Sequence, residues 1–158
     1  MRNAIKMFGL VSILALSACG GGNSGGDDLK KFVGTWRATS GTLTTICPGY
    51  DPFTDTVSDN LVWSTGVNSD LVSTDGTNCP ILADVTGSTA SGAPGQACTQ
   101  SDGAGGVSTV TISGYTFVIA PDGHTATENG SGTVAFIVSG ATLVCTFNET
   151  GSYQKIGN

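Results

Sequence analysis

The sequence predicts an all-β domain, most simply an antiparallel up-and-down β-barrel, with a two-sheet β-sandwich as the alternative. Three observations lead there. Thr, Val, Ser and Gly dominate while Lys, Arg and Glu are scarce beyond the first residues, so helices have little to build on. Short runs of β-branched and aromatic residues recur between Gly, Asp, Asn and Ser. Several of these runs alternate: Ile81, Ala83 and Val85 share a face with Cys79 while Leu82 and Asp84 share the other, and Leu143, Cys145 and Phe147 oppose Thr142, Thr146 and Asn148. Some eight hairpin-linked segments of this kind suit a sheet that removes its own edges by closing.

The chain begins differently. Arg2 and Lys6 precede an apolar stretch from Met7 to Leu16 with no charge and no proline, which reads as a secretory signal. It is too short for the roughly 20 residues of a membrane span. Leu16-Ser17-Ala18-Cys19 resembles the lipobox of bacterial lipoproteins. That resemblance implies lipidation of the Cys19 sulfur, cleavage before it and a membrane-anchored mature chain. Residues 1–18 are then a signal peptide, and 19–28, from Cys19 through Gly20-Gly21-Gly22 to Asp28, a flexible tether with no apolar residue. In Gram-negative relatives an aspartate after the lipidated cysteine favours inner-membrane retention. Gly20 stands there, so the expected site is the outer membrane.

One domain occupies 29–158. The expected strands are Phe32–Ile46, Thr56–Ser64, Asp70–Thr74, Cys79–Val85, Gln96–Thr99, Val107–Ala120 with a break at Ser113-Gly114, His124–Glu128, Thr133–Val138 and Thr142–Lys155. Asp75-Gly76, Pro121-Asp122-Gly123, Asn129-Gly130 and Ser139-Gly140 supply the turns. Gly34-Thr35-Trp36 resembles the G-x-W motif of lipocalins, and the resemblance implies a lipocalin-like barrel. The resemblance implies that Trp36 plugs one end of the barrel beneath Lys155 of the last strand. The last strand carries Lys where an Arg is usual, and the Thr-Asp-Tyr motif of lipocalins is absent.

Four cysteines, Cys47, Cys79, Cys98 and Cys145, remain beyond Cys19 for an oxidising compartment, which suggests two disulfides out of three possible pairings. Cys79 and Cys98 stand at nearly equal distances from a polar centre at Gly87-Ser88-Thr89, so an antiparallel pair turning there would oppose them. Cys47 ends the first long strand and Cys145 lies in the last, which become neighbours only if the sheet closes. The expected pairs are therefore Cys79–Cys98 and Cys47–Cys145.

Chemistry is harder to place. Once Arg2 and Lys6 are removed, four basic residues, Lys30, Lys31, Arg37 and Lys155, face twelve acidic ones, a net charge near −8. That sign opposes nucleic-acid binding and docking on anionic lipid. With no Cys-x-x-Cys and a single histidine, no metal is expected. Gly22-Asn23-Ser24-Gly25-Gly26 fits a nucleophile-elbow pattern but lies in the tether. Gly130-Ser131-Gly132-Thr133-Val134-Ala135 fits a loose dinucleotide fingerprint, which requires a helix where a hairpin is expected. His124 follows a tight turn and reads as a solvent-facing residue. Asp51, Asp55 and Asp59 lack the glycine and closing glutamate of a calcium loop. Eight Asp and two Glu beyond the tether could supply a carboxylate pair, but no sequence rule pairs them. No catalytic residues and no cofactor are expected. The expected partners are the membrane, through the lipid, and either a small apolar ligand inside the barrel or an envelope protein or glycan outside it.

Overall fold

The computed structural model describes residues 26–74, 79–101, 106–138 and 141–158. In chain order these form α1 (Gly26–Phe32), β1 (Gly34–Ile46), β2 (Phe53–Thr56), β3 (Asn60–Thr65), β4 (Leu71–Thr74), β5 (Leu82–Thr86), β6 (Thr89–Gly92), β7 (Ala97–Ser101), β8 (Val107–Ile119), β9 (Thr125–Val138) and β10 (Ala141–Gly157). The expected signal peptide, Cys19 and most of the tether lie outside the described residues.

Eight strands pair antiparallel in the order β1-β3-β4-β5-β6-β8-β9-β10, and β10 returns to β1 from Thr35↔Gly157 to Ile46↔Thr146. The sheet is thus a closed up-and-down barrel and not a two-sheet sandwich. Closure leaves β1 and β10 without a free edge along this seam. The close approach at its start requires Gly34, whose φ is +130° and where a Cβ would lie 2.2 Å from the Gly157 carbonyl oxygen.

Two strands change neighbours partway along. β1 pairs with β3 over Gly34–Arg37 and with β2 over Thr42–Thr45. β8 pairs with β7 over Val107–Thr111 and with β6 over Tyr115–Val118, and it bulges between Ile112 and Gly114, where the sequence suggested a break. One half of the molecule is therefore a complete eight-stranded barrel. The other is a six-stranded sheet, β2-β1-β10-β9-β8-β7, in which no pairing joins β2 to β7 among the described residues. The barrel opens between them.

The closed half holds the core. Phe32, Trp36, Leu61, Trp63, Leu71, Phe117 and Tyr153 are buried there, with Ala83, Val85, Ala90 and Ala126 as small fillers between the large rings. Phe117 is the hub, its ring centroid 5.2 Å from Trp36, 5.8 Å from Trp63 and 5.6 Å from Tyr153. Tilted and edge-on ring pairs of this kind add about 0.5–1.5 kcal/mol each beyond area burial.

Several local expectations are corrected. α1 takes in Gly26, Asp27 and Asp28, which the sequence assigned to the tether. Seven residues make a marginal helix alone. Here Asp27 and Asp28 in the first turn pair with Lys30 at 3.0 Å and Lys31 at 2.6 Å, and Phe32 anchors the end in the core. Thr56–Ser64 is not one strand but the end of β2, a crossing and most of β3, because the chain passes from the upper to the lower half of β1. Thr89 does not belong to the turn centre: it opens β6, and the turn is carried by Gly87 at φ +61°. Asn129-Gly130 is not a turn either, since β9 runs unbroken through it, paired with Thr150 and Glu149 on one side and Thr116 and Tyr115 on the other.

Candidate functional site

Where the barrel opens, its inner face encloses a cavity of about 460 Å³, within the range of roughly 300–1,000 Å³ usual for small-molecule sites. Strand register explains why side chains leave this space. Three successive inward rows cross the β1-β10-β9-β8 wall: Gly41–Gly151–Glu128–Phe117, Leu43–Glu149–Gly130–Tyr115 and Thr45–Phe147–Gly132–Ile112. Each row places glycine beside its large side chain, which lies across the bare backbone. A Cβ on Gly132 would meet the Phe147 ring at 2.7 Å and the Thr111 carbonyl oxygen at 2.2 Å, and one on Gly151 would meet the Tyr153 ring at 2.6 Å. The glycines thus let aromatic and acidic residues fold against the wall rather than fill the lumen.

The walls are mixed but mostly apolar, with Leu43, Val57, Ile81, Ile112, Val134 and Phe147 interrupted by Thr45, Thr56, Asn60, Gln100 and Ser108. The floor is polar. Glu128, only 5% exposed, accepts hydrogen bonds from Tyr115 at Oε1 and from Tyr153 at Oε2, each 2.5 Å. Burial first, then the negative charge of Glu128 and the hydrogen bond to it, hold the Tyr115 phenol protonated well above its ordinary range. Both phenols donate, and the carboxylate is fixed between them at the junction of core and cavity. Glu149 also lines the cavity, and Asp55 and Asp59 stand on its β2–β3 side.

The disulfides frame this half of the molecule. Cys47–Cys145 ties the end of β1 to β10 across the seam, and Cys79–Cys98 ties the segment before β5 to β7. Both pairings agree with the sequence reading, although the second is reached differently. β5 and β6 do form the hairpin, but β7 leaves it to join β8. Where they part, the Gln96 side chain substitutes for a strand, accepting from Leu82 N at 2.7 Å and donating to Leu82 O at 2.8 Å.

At the other end Trp36 is fully buried and its indole N–H donates to Phe32 O at 2.8 Å. Lys155 Nζ lies 5.6 Å from the Trp36 ring centroid and donates to Lys31 O at 3.0 Å, where a cation satisfies the carbonyl end of α1. Partial burial lowers the Lys155 ammonium below its usual range.

Of the other residues weighed, His124 is exposed, its backbone N–H donating to Asp122 at 2.8 Å. Asp55 and Asp59 reach the cavity and Asp51 does not. Among the described residues no three His, Cys, Asp or Glu side chains gather as metal ligands would. The sequence did not single out Glu128 or Glu149, yet one signal was present: they are its only two glutamates, and both line the cavity.

Fold and site together define a small closed barrel with a packed end and an open, cavity-bearing end. No known protein family, curated protein or solved structure matches the chain.

Proposed function

We propose that the chain is a lipid-anchored protein of the bacterial envelope, held through Cys19 at the outer membrane, whose barrel carries a small apolar molecule in its open-end cavity. The cavity carries this reading: it is large enough for a small ligand, walled mostly by apolar side chains and flanked by glycines on β9 and β10. The lipobox supports the anchor. Cys19 lies seven positions before Gly26, at most about 25 Å of extended chain, and α1 closes the packed end. The open end would then face away from the anchoring surface.

A neutral ligand tests the cavity. 1-Decanol should bind saturably with micromolar affinity, and Val134→Trp, which projects an indole into the lumen, should weaken it at least several-fold. Absence of saturable uptake would refute the reading. The anchor is tested separately with a fatty-acid analogue, which should label the wild type and not Cys19→Ser.

A structural role at the envelope is the second reading. Ile46, Tyr50 and Phe53, exposed at 46%, 67% and 59%, favour it, because they place apolar side chains on one rim of the open end where a protein or glycan could rest.

A further inference from the structure

Charge is segregated in this barrel. The cationic side chains of the described residues are Lys30, Lys31, Arg37 and Lys155, and none lines the cavity. Three of them gather at α1: Lys30 and Lys31 pair with Asp27 and Asp28, and Lys155 caps the helix carbonyls. Four carboxylates line the cavity instead, Glu128 and Glu149 from the β9–β10 wall and Asp55 and Asp59 from the opposite side. A cleft with low-dielectric walls focuses such a field. Two of these acids lie beside apolar surface, since Glu128 is buried in the floor and Glu149 stands between Leu43 and Gly130 in one inward row, while Asp55 and Asp59 are exposed.

We propose that the cavity selects amphipathic cations, an apolar body carrying an ammonium or similar group, over fatty acids and other apolar anions. This rests on the cavity being a ligand site. The apolar body would lie along Leu43, Ile112, Val134 and Phe147, and the cation would sit near Glu149, with Glu128 and its two phenols behind it. A carboxylate headgroup entering the same way would meet four acids and no cation. The two phenol donors do not relieve this, because both are engaged by Glu128.

The test compares three probes with one tail, decylammonium, 1-decanol and decanoate, titrated calorimetrically below their micelle concentrations into the disulfide-intact chain. Decylammonium should bind roughly ten-fold or more tighter than decanoate, the order expected of a partly shielded ammonium–carboxylate contact. Glu149→Gln should remove most of that preference, lowering decylammonium affinity several-fold more than 1-decanol affinity. Asp84→Asn, the same change in net charge on the outer face of β5, should leave the preference intact. Should Glu149→Gln fail to fold, Asp59→Asn at the mouth should weaken the preference in the same direction. Equal binding of all three probes, tighter binding of decanoate, or a preference that follows Asp84→Asn as much as Glu149→Gln would overturn charge selection and leave the cavity reading standing. If none of the three binds, the cavity reading itself fails.

Discussion

Replacing both Cys47 and Cys145 by Ala removes the staple across the β1–β10 seam, and the loss should be large without abolishing the fold. The two cysteines are 98 residues apart in sequence, against 19 for Cys79 and Cys98. If a disulfide acts by restricting the unfolded chain, the longer loop contributes about 4.7 kcal/mol and the shorter about 3.3 kcal/mol, both upper values for real proteins. With a urea dependence of about 1.5 kcal/mol per molar, the unfolding midpoint should fall by up to about 3 M in the first double variant and about 2 M in the second. The seam stays closed in the absence of urea, because β1 and β10 remain hydrogen-bonded from Thr35 to Ile46. Equilibrium unfolding followed by far-UV circular dichroism reads both quantities. An unchanged midpoint, a larger loss from Cys79/Cys98 than from Cys47/Cys145, or loss of the β spectrum before urea is added would refute the reasoning.

Gly132→Ala places a methyl 2.2 Å from the Thr111 carbonyl oxygen and against the Phe147 ring; overpacking of about 1–3 kcal/mol should appear as a lowered thermal midpoint. Tyr115→Phe removes one of the two donors to Glu128, at a cost of about 1.5–3 kcal/mol for a hydrogen bond to a charged group, measured by denaturant unfolding. The Tyr115 phenol is raised in the native barrel above its ordinary value of 10.0, so its contribution is complete below that pH and is lost as pH rises through the native value. The wild type should therefore lose stability in strong alkali with a steeper slope than Tyr115→Phe. Trp36→Ala empties the centre of the closed end, and about 3–5 kcal/mol of stability should go with it, seen as a fall in the urea midpoint.

Much of the barrel was legible in the sequence because it rests on local rules. Alternation from Cys79 to Val85 holds: Ala83 and Val85 are buried while Leu82 is 41% exposed. Ser113-Gly114 marked the β8 bulge, and Asp122-Gly123 marked the turn in which Asp122 accepts from His124 and Thr125. Closure was legible through one long-range clue, the placement of Cys47 and Cys145 on the first and last strands.

The failures share a cause. Gly130 reads as a turn residue because glycine is scarce within strands, yet it lies in mid-strand, paired with Glu149 and Tyr115, residues 15 or more positions away. α1 is invisible to periodicity, since Phe32 alone is buried among its residues. The cavity floor was illegible for the same reason: Glu128, Tyr115 and Tyr153 converge only once three strands are in register, and nothing in the local sequence of any of them marks the meeting.

The most direct test of the central claim is where in the barrel a bound ligand sits. In a 15N-labelled chain titrated with 1-decanol, the amides of Leu43, Ile112, Glu128, Val134 and Phe147 should shift together and saturate, while those of Phe32, Trp36 and Lys155 at the packed end stay in place. Shifts confined to the outer face, or centred on the packed end, would contradict the account.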